Sequence, residues 1–290
     1  MTTRQICLLL ALAGPMAVSG CKKDDAPPAI DSGTPSKADT SSTPDVYVSN
    51  CISIADDLIA DFKTNNGLNP ADGRQGGFYV YGDSSGTFDP VNDTTKSYPI
   101  DSTGGTPACS GPGSFHTKAT GFNQWGAAMG ADLMPKTDSG AKGTYDASKY
   151  VGISFWAKAS APLSGVQVSF PDIYTDAAAD PKSLDPSNYL CAYQKGAANN
   201  CSPYLVKFGD ALFGSTIQNY KIDTEWKRFD ILFADTQQDQ YNPPGSVVGK
   251  PKLEVAHLTA MAIQVNATYV GGNPTANDFE LWIDDVNFIK

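Results

Sequence analysis

The sequence predicts an all-β protein, an antiparallel β-sandwich of jelly-roll type. Three observations carry that prediction. Short segments with an apolar residue at every second position recur along the chain, which is the period of a strand with one face buried. Clusters of Gly, Pro, Asn and Asp separate them, as turns between strands require. Long amphipathic helical patterns and internal repeats are absent from the sequence.

The chain has 290 residues. Its first 20 read as an export signal: Arg4, then an apolar run from Ile6 to Val18, then the small residues Ser19 and Gly20. The run is too short to span a bilayer as a helix. Residues 18–21, Val-Ser-Gly-Cys, resemble a bacterial lipobox. That resemblance implies cleavage before Cys21, a diacylglycerol on the Cys21 sulfur, and a mature protein anchored to the cell envelope, with the outer membrane expected because Lys22 beside Cys21 does not look like an inner-membrane retention signal.

Residues 21–49 are dense in Pro, Ser, Thr and Asp and nearly free of large apolar side chains. Such a segment cannot bury enough surface to offset its ordering entropy and is expected to act as a disordered tether. Residues 50–290 then form one domain, large enough to bury a core without staples.

The net charge is −10, and loss of Arg4 with the signal makes the mature chain still more acidic. That balance argues against nucleic acid and against a polybasic membrane patch. The expected contact with membrane is the lipid anchor alone. Once Cys7 and Cys21 are set aside, Cys51, Cys109, Cys191 and Cys201 remain, an even number in an oxidising compartment. Four cysteines allow three pairings. The favoured one is Cys51–Cys109 with Cys191–Cys201, the second pair closing a short Gly/Ala/Asn loop. No CxxC spacing supports a zinc site.

Within the domain, strands are expected at residues 78–81, 151–156, 166–170, 229–233, 261–265 and 279–283, while residues 51–63 are ambiguous between helix and strand. The stretches 87–121 and 172–200 read as long loops. Several segments occur in a telling order: Asp57 to Phe62, Gly76 to Asp83, Tyr150 to Lys158, Trp226 to Phe229, and the closing Leu281 to Val286. This ordered set resembles the galactose-binding-domain-like jelly rolls of the carbohydrate-binding modules attached to many polysaccharide-degrading enzymes. The resemblance covers nearly all of residues 51–290. It implies a polysaccharide or oligosaccharide partner, and a structural calcium ion between first and last strands, for which Asp61 and Asp285 are the matching positions, with Asp56, Asp57 and Asp284 as substitutes if the register differs.

Alternation sorts the two faces of each strand. The more apolar parity places Val151, Ile153, Phe155, Val166, Val168, Phe170, Phe229, Ile231, Phe233, Met261, Ile263, Val265, Phe279, Leu281 and Ile283 in the core. Asp285 shares that parity and needs a partner or a cation there. The opposite parity yields Ser154, Trp156, Gln167, Ser169, Arg228, Asp230, Gln264, Asn266 and Trp282, joined by Tyr79 and Tyr81, as one wet face. Aromatic rings stack on the apolar face of a pyranose, while amides and charged groups bond its hydroxyls. The expected function is therefore non-catalytic glycan binding by a surface lipoprotein. The alternatives are a polysaccharide-cleaving jelly roll, lyase or glycosidase, and a structural or adhesive surface protein. The sequence has no nucleophile elbow and no paired zinc histidines. A lyase-like group would have to be assembled from Tyr81, His116 and Arg228.

Overall fold

The computed structural model describes residues 57–90, 100–104, 113–176, 178–179, 203–208, 220–238 and 253–290. Cys21, Cys51, Cys109, Cys191 and Cys201, the export signal and the tether lie outside the described residues.

The described residues form fourteen strands: β1 (Leu58–Ala60), β2 (Tyr79–Gly82), β3 (Thr87–Asp89), β4 (Phe115–Thr120), β5 (Ala127–Asp132), β6 (Gly152–Ala159), β7 (Val166–Phe170), β8 (Tyr204–Lys207), β9 (Lys227–Leu232), β10 (Gln237–Gln238), β11 (Ala260–Val265), β12 (Thr268–Val270), β13 (Asn273–Thr275) and β14 (Phe279–Ile289). The ambiguous N-terminal stretch contributes a strand. One sheet runs β3-β4-β14-β6-β9 with β1 also on β14, and a second runs β10-β8-β7-β11-β5-β2. The chain passes back and forth between the two sheets, from β4 to β5 to β6 to β7, and every pairing within them is antiparallel. This is a jelly-roll sandwich. β12 and β13 form a separate hairpin.

The apolar parity meets between the sheets. Phe62, Phe78 and Phe115 cluster with ring centroids 5.1–5.8 Å apart, and Phe155 stacks on Phe229 at 5.5 Å. Each fully buried ring contributes about 1.5–3 kcal/mol. The core residues expected from parity are buried, with one exception: Val151 is 51% exposed because it precedes β6 and escapes its alternation.

β14 also departs from simple alternation. Its first half pairs with β4 and its second half with β1, on the same edge. At the hand-over the register shifts between Asp284 and Asn287, and Asp285 takes φ 44°. That bulge carries Asp285 out of the core parity expected for it, while Val286 and Phe288 fill the core.

One fully buried cation was not anticipated. Arg74 donates from Nε to the Asn69 carbonyl at 3.1 Å, from one terminal nitrogen to the Leu58 carbonyl at 2.8 Å, and from the other to the Tyr145 hydroxyl at 2.8 Å. Its guanidinium carbon lies 5.2 Å from the Tyr145 ring centroid and 5.5 Å from that of Phe288. Carbonyls, a phenol and two ring faces thus replace the water that a buried charge gives up.

Candidate ligand-binding groove

A sandwich has two outer faces, and the structure divides the expected wet residues between them. Trp156 sits across from Arg228 on the first sheet, and Arg228 Nε donates to Asp230 Oδ1 at 2.8 Å. Gln264 pairs with Gln167 on the second sheet, where Tyr79 and Tyr81 lie on β2. The expectation of a single face is therefore corrected: Trp156, Arg228 and Asp230 belong to one surface, and Tyr79, Tyr81, Gln167, Gln264 and Asn266 to the other. Tyr81 is likewise separated from His116 and Arg228, so the lyase-like group does not assemble. His116 instead stacks on the buried Trp282, with centroids 4.5 Å apart, between Asp101 at 3.3 Å and Glu280 at 3.1 Å.

The second sheet carries the groove. Its floor is made of small residues brought into register: Tyr79 opposite Gly130, Gly130 opposite Ala262, Ala262 opposite Ser169. Gly130 has to be bare, since a Cβ there would lie 2.5 Å from the Met261 carbonyl oxygen and 3.0 Å from the Ala262 Cβ. A cavity of about 350 Å³ lies here, lined by Tyr79, Tyr81, Lys142, Asp176 and Ala262 among others.

An aromatic run borders the floor. Tyr79 and Tyr81 have centroids 5.7 Å apart, and Trp125 lies 6.1 Å beyond Tyr81. Trp125 is 41% exposed. Strand alternation does not reach Trp125, but the Gly-Phe-Asn-Gln-Trp-Gly loop at residues 121–126 is a visible signal: nothing in that loop is strand-like enough to bury it.

Asp83 fixes the Trp125 loop. Its carboxylate accepts the backbone N–H groups of Gln124, Trp125 and Gly126 at 2.9–3.0 Å, and also the N–H and hydroxyl of Ser85. Burial alone would raise this carboxyl, but the donated hydrogen bonds outweigh it and hold Asp83 well below the usual carboxylate range.

The planar amides form a chain along the next register row. Gln264 Nε2 donates to Asn266 Oδ1 at 2.6 Å and to the Trp125 carbonyl at 3.3 Å, and Asn266 Nδ2 donates to Gln167 Oε1 at 3.1 Å. Each amide orients the next, and the chain joins the aromatic loop to the centre of the sheet.

A charged knot lies at the other side of the groove. The Lys142 ammonium sits 2.9 Å from Asp132 Oδ1 and 3.2 Å from Asp176 Oδ2. The Tyr79 hydroxyl donates to Asp132 at 3.0 Å, and the Thr259 hydroxyl to Asp176 at 2.8 Å. Burial, followed by the nearby carboxylates, pushes both phenols up, Tyr81 to about 12. Neither is a base at neutral pH. Burial would lower Lys142, but its two acid partners outweigh that and raise it.

Asp61 and Asp285, the positions expected to hold calcium, both act electrostatically on Lys63. The Lys63 ammonium takes Asp61 Oδ2 at 3.0 Å. Burial raises Asp285; the charge of Lys63 opposes that rise, and the charge of Asp61 adds to it. Calcium takes six to eight oxygens. Among the described residues no group of three or more His, Cys, Asp or Glu converges on one point.

No protein-family profile matches the chain, and no curated protein matches it. Solved structures do. The chain is similar to the family 11 carbohydrate-binding module of a cellulosomal cellulase of Clostridium thermocellum, at 12% identity over 80% of this chain and 92% of that chain, with a TM-score of 0.41. A family 11 module from the same organism in complex with a β-1,3-1,4-mixed-linked tetrasaccharide matches at 13% identity over 78% of this chain and 95% of that one, TM-score 0.41. A family 30 module of another cellulosomal cellulase of that organism matches at 15% identity over 73% and 97%, TM-score 0.37. These are distant likenesses.

Proposed function

We propose that the outer face of the second sheet binds a neutral glycan chain without cleaving it. One observation carries the reading: the aromatic run Tyr79, Tyr81, Trp125 stands beside a floor of Gly130 and Ala262, with the linked amides of Gln264, Asn266 and Gln167 at its flank. Rings over a flat floor suit the apolar faces of pyranoses, and amides whose partners already fix their orientation suit hydroxyls. Among the described residues, no hydrogen bond engages Gln264 Oε1 or Gln167 Nε2, so one acceptor and one donor group remain for a ligand.

Neutrality follows from the charges. The groove's Lys142 is already balanced by two carboxylates, and the whole chain is acidic, which disfavours a polyanion. Binding in preference to cleavage is supported by the same groups. Asp132 and Asp176 are committed to Lys142, and both phenols hold their protons. Behind the lipobox-like Cys21 and the Pro/Ser-rich segment, such a domain would be a glycan receptor held to the cell envelope, with the outer membrane its expected address.

The test is an array of linear and branched polysaccharides, including β-1,3-1,4-linked glucan, probed with the soluble domain and two double variants. Tyr81→Ala with Gln264→Ala is expected to lower affinity roughly tenfold or more. Trp156→Ala with Arg228→Ala, on the other sheet, is expected to bind as the parent does. No binding by the parent to any neutral glycan sinks the proposal, as does loss of binding only in the second variant.

A further inference from the structure

The groove is not isolated on the surface. A second depression of about 340 Å³ adjoins it, lined by Gln75, Gly76, Gly77, Met134 and Lys136 among others, and Tyr79 lines both. A third, the larger cleft of about 640 Å³, is lined by Asp72, Tyr145, Ser148 and Lys149, and Met134 lines both it and the second. We infer that the ligand path continues from the groove past Tyr79, over β2, the last strand of its sheet, and into this outer cleft, so that the protein holds an extended polysaccharide chain along three successive depressions. The inference rests on the glycan reading above and adds subsites to it.

The middle depression is lined by bare backbone. Gly76 holds φ 98°, which disfavours any side chain, and a Cβ there would meet only the Asp132 carbonyl oxygen, at 3.8 Å. A chain crossing there meets peptide surface. The crossing also carries polar groups that continue from the groove. Lys142 lines the groove and Asp132 the middle depression, and the two are joined at 2.9 Å.

The outer cleft has a prepared wall. Asp72 Oδ2 accepts from Lys149 Nζ at 2.8 Å and from the Tyr145 hydroxyl at 3.1 Å. The Tyr145 ring is itself backed by the buried Arg74. The cleft therefore presents fixed donors and acceptors with no excess positive charge, chemistry that suits the hydroxyls of a neutral sugar and offers nothing to an anion. At the far side of the crossing, Met134 supplies an apolar surface shared by both depressions.

The experiment measures affinity by calorimetry for two probes, the β-1,3-1,4-linked glucan tetrasaccharide and a much longer oligosaccharide of the same linkage. It compares the parent domain with Ser148→Trp, which fills the outer cleft, and Lys136→Trp, which blocks the crossing; both positions are exposed. The parent is expected to hold the long probe roughly tenfold or more tighter than the short one. Each variant is expected to lose that gain while binding the tetrasaccharide as the parent does, with its thermal midpoint retained. Equal affinity of the parent for both probes, or a length gain that survives both tryptophans, overturns the inference and leaves the groove reading intact. Failure of the parent to bind either probe overturns both.

Discussion

The Asp83 carboxylate accepts the Trp125 backbone N–H at 3.0 Å, and so ties the most exposed ring of the groove to the end of the strand that carries the other two rings. Neither residue lies in the groove floor. The contact nonetheless fixes the order Tyr79, Tyr81, Trp125, because one carboxylate gathers three consecutive N–H groups of the Trp125 loop.

Removing that anchor should affect both fold and binding. Asp83→Ala leaves those N–H groups without their acceptor and is expected to cost roughly 2–3 kcal/mol of stability. Because the folded-state carboxyl is held below its ordinary value, its contribution is full above about pH 4 and is lost as pH falls further. Urea titrations of parent and variant across the acid range should converge at low pH. A stability difference that stays constant with pH would contradict the role given to the charge.

At the alkaline end the sign reverses. Burial raises Tyr79, Tyr81, Tyr145 and Tyr204, with Tyr81 and Tyr204 at about 12. An unfolded tyrosine ionises near pH 10. The native state therefore keeps protons that the unfolded chain gives up, and stability is present below pH 10 and declines between about 10 and 12. Phenolate absorbance followed alongside circular dichroism should show these rings ionising only as the sheet signal is lost. Ionisation of all the tyrosines near pH 10 with the fold intact would contradict it.

Arg74 should behave as a structural cation. Arg74→Ala strands the Asn69 and Leu58 carbonyls and the Tyr145 hydroxyl, and removes the guanidinium packed against Tyr145 and Phe288. Unsatisfied acceptors at about 1–3 kcal/mol and the cavity left behind at about 2–5 kcal/mol both oppose the variant, so a clearly lower urea midpoint is expected. A near-parental midpoint would show that the site relaxes without its charge.

Much of the sandwich was legible in the sequence because alternation reports directly on burial. Ile153, Phe155, Val166, Val168, Phe229, Ile231, Met261, Ile263, Leu281 and Ile283 all lie where their parity puts them. What parity cannot report is which sheet a strand joins. Trp156 and Gln264 both point away from the core, but β6 pairs with β14 and β9 while β11 pairs with β5 and β7, so the two side chains leave from opposite sides of the molecule. Nor does parity survive a bulge. Alternation from Ile283 points Asp285 inward, and the register shift beside it breaks that alternation. Trp282 shares the outward parity of Trp156, yet Asp101 accepts its indole N–H at 2.7 Å and Gly104 packs against its ring, burying it. Arg74 and Trp125 owe their places to long-range partners, Tyr145 for the first and Asp83 for the second, which local periodicity does not encode.

The most direct measurement is a map of nuclear magnetic resonance shifts in the domain as the tightest-binding array glycan is added. The indole N–H of Trp125 and the side-chain amides of Gln264 and Gln167 should move together and saturate together, while the indole of Trp156 and the guanidinium of Arg228 stay in place. Shifts that centre on Trp156 and Arg228, with the Trp125 and Gln264 signals unmoved, would put the sugar on the first sheet and contradict the account.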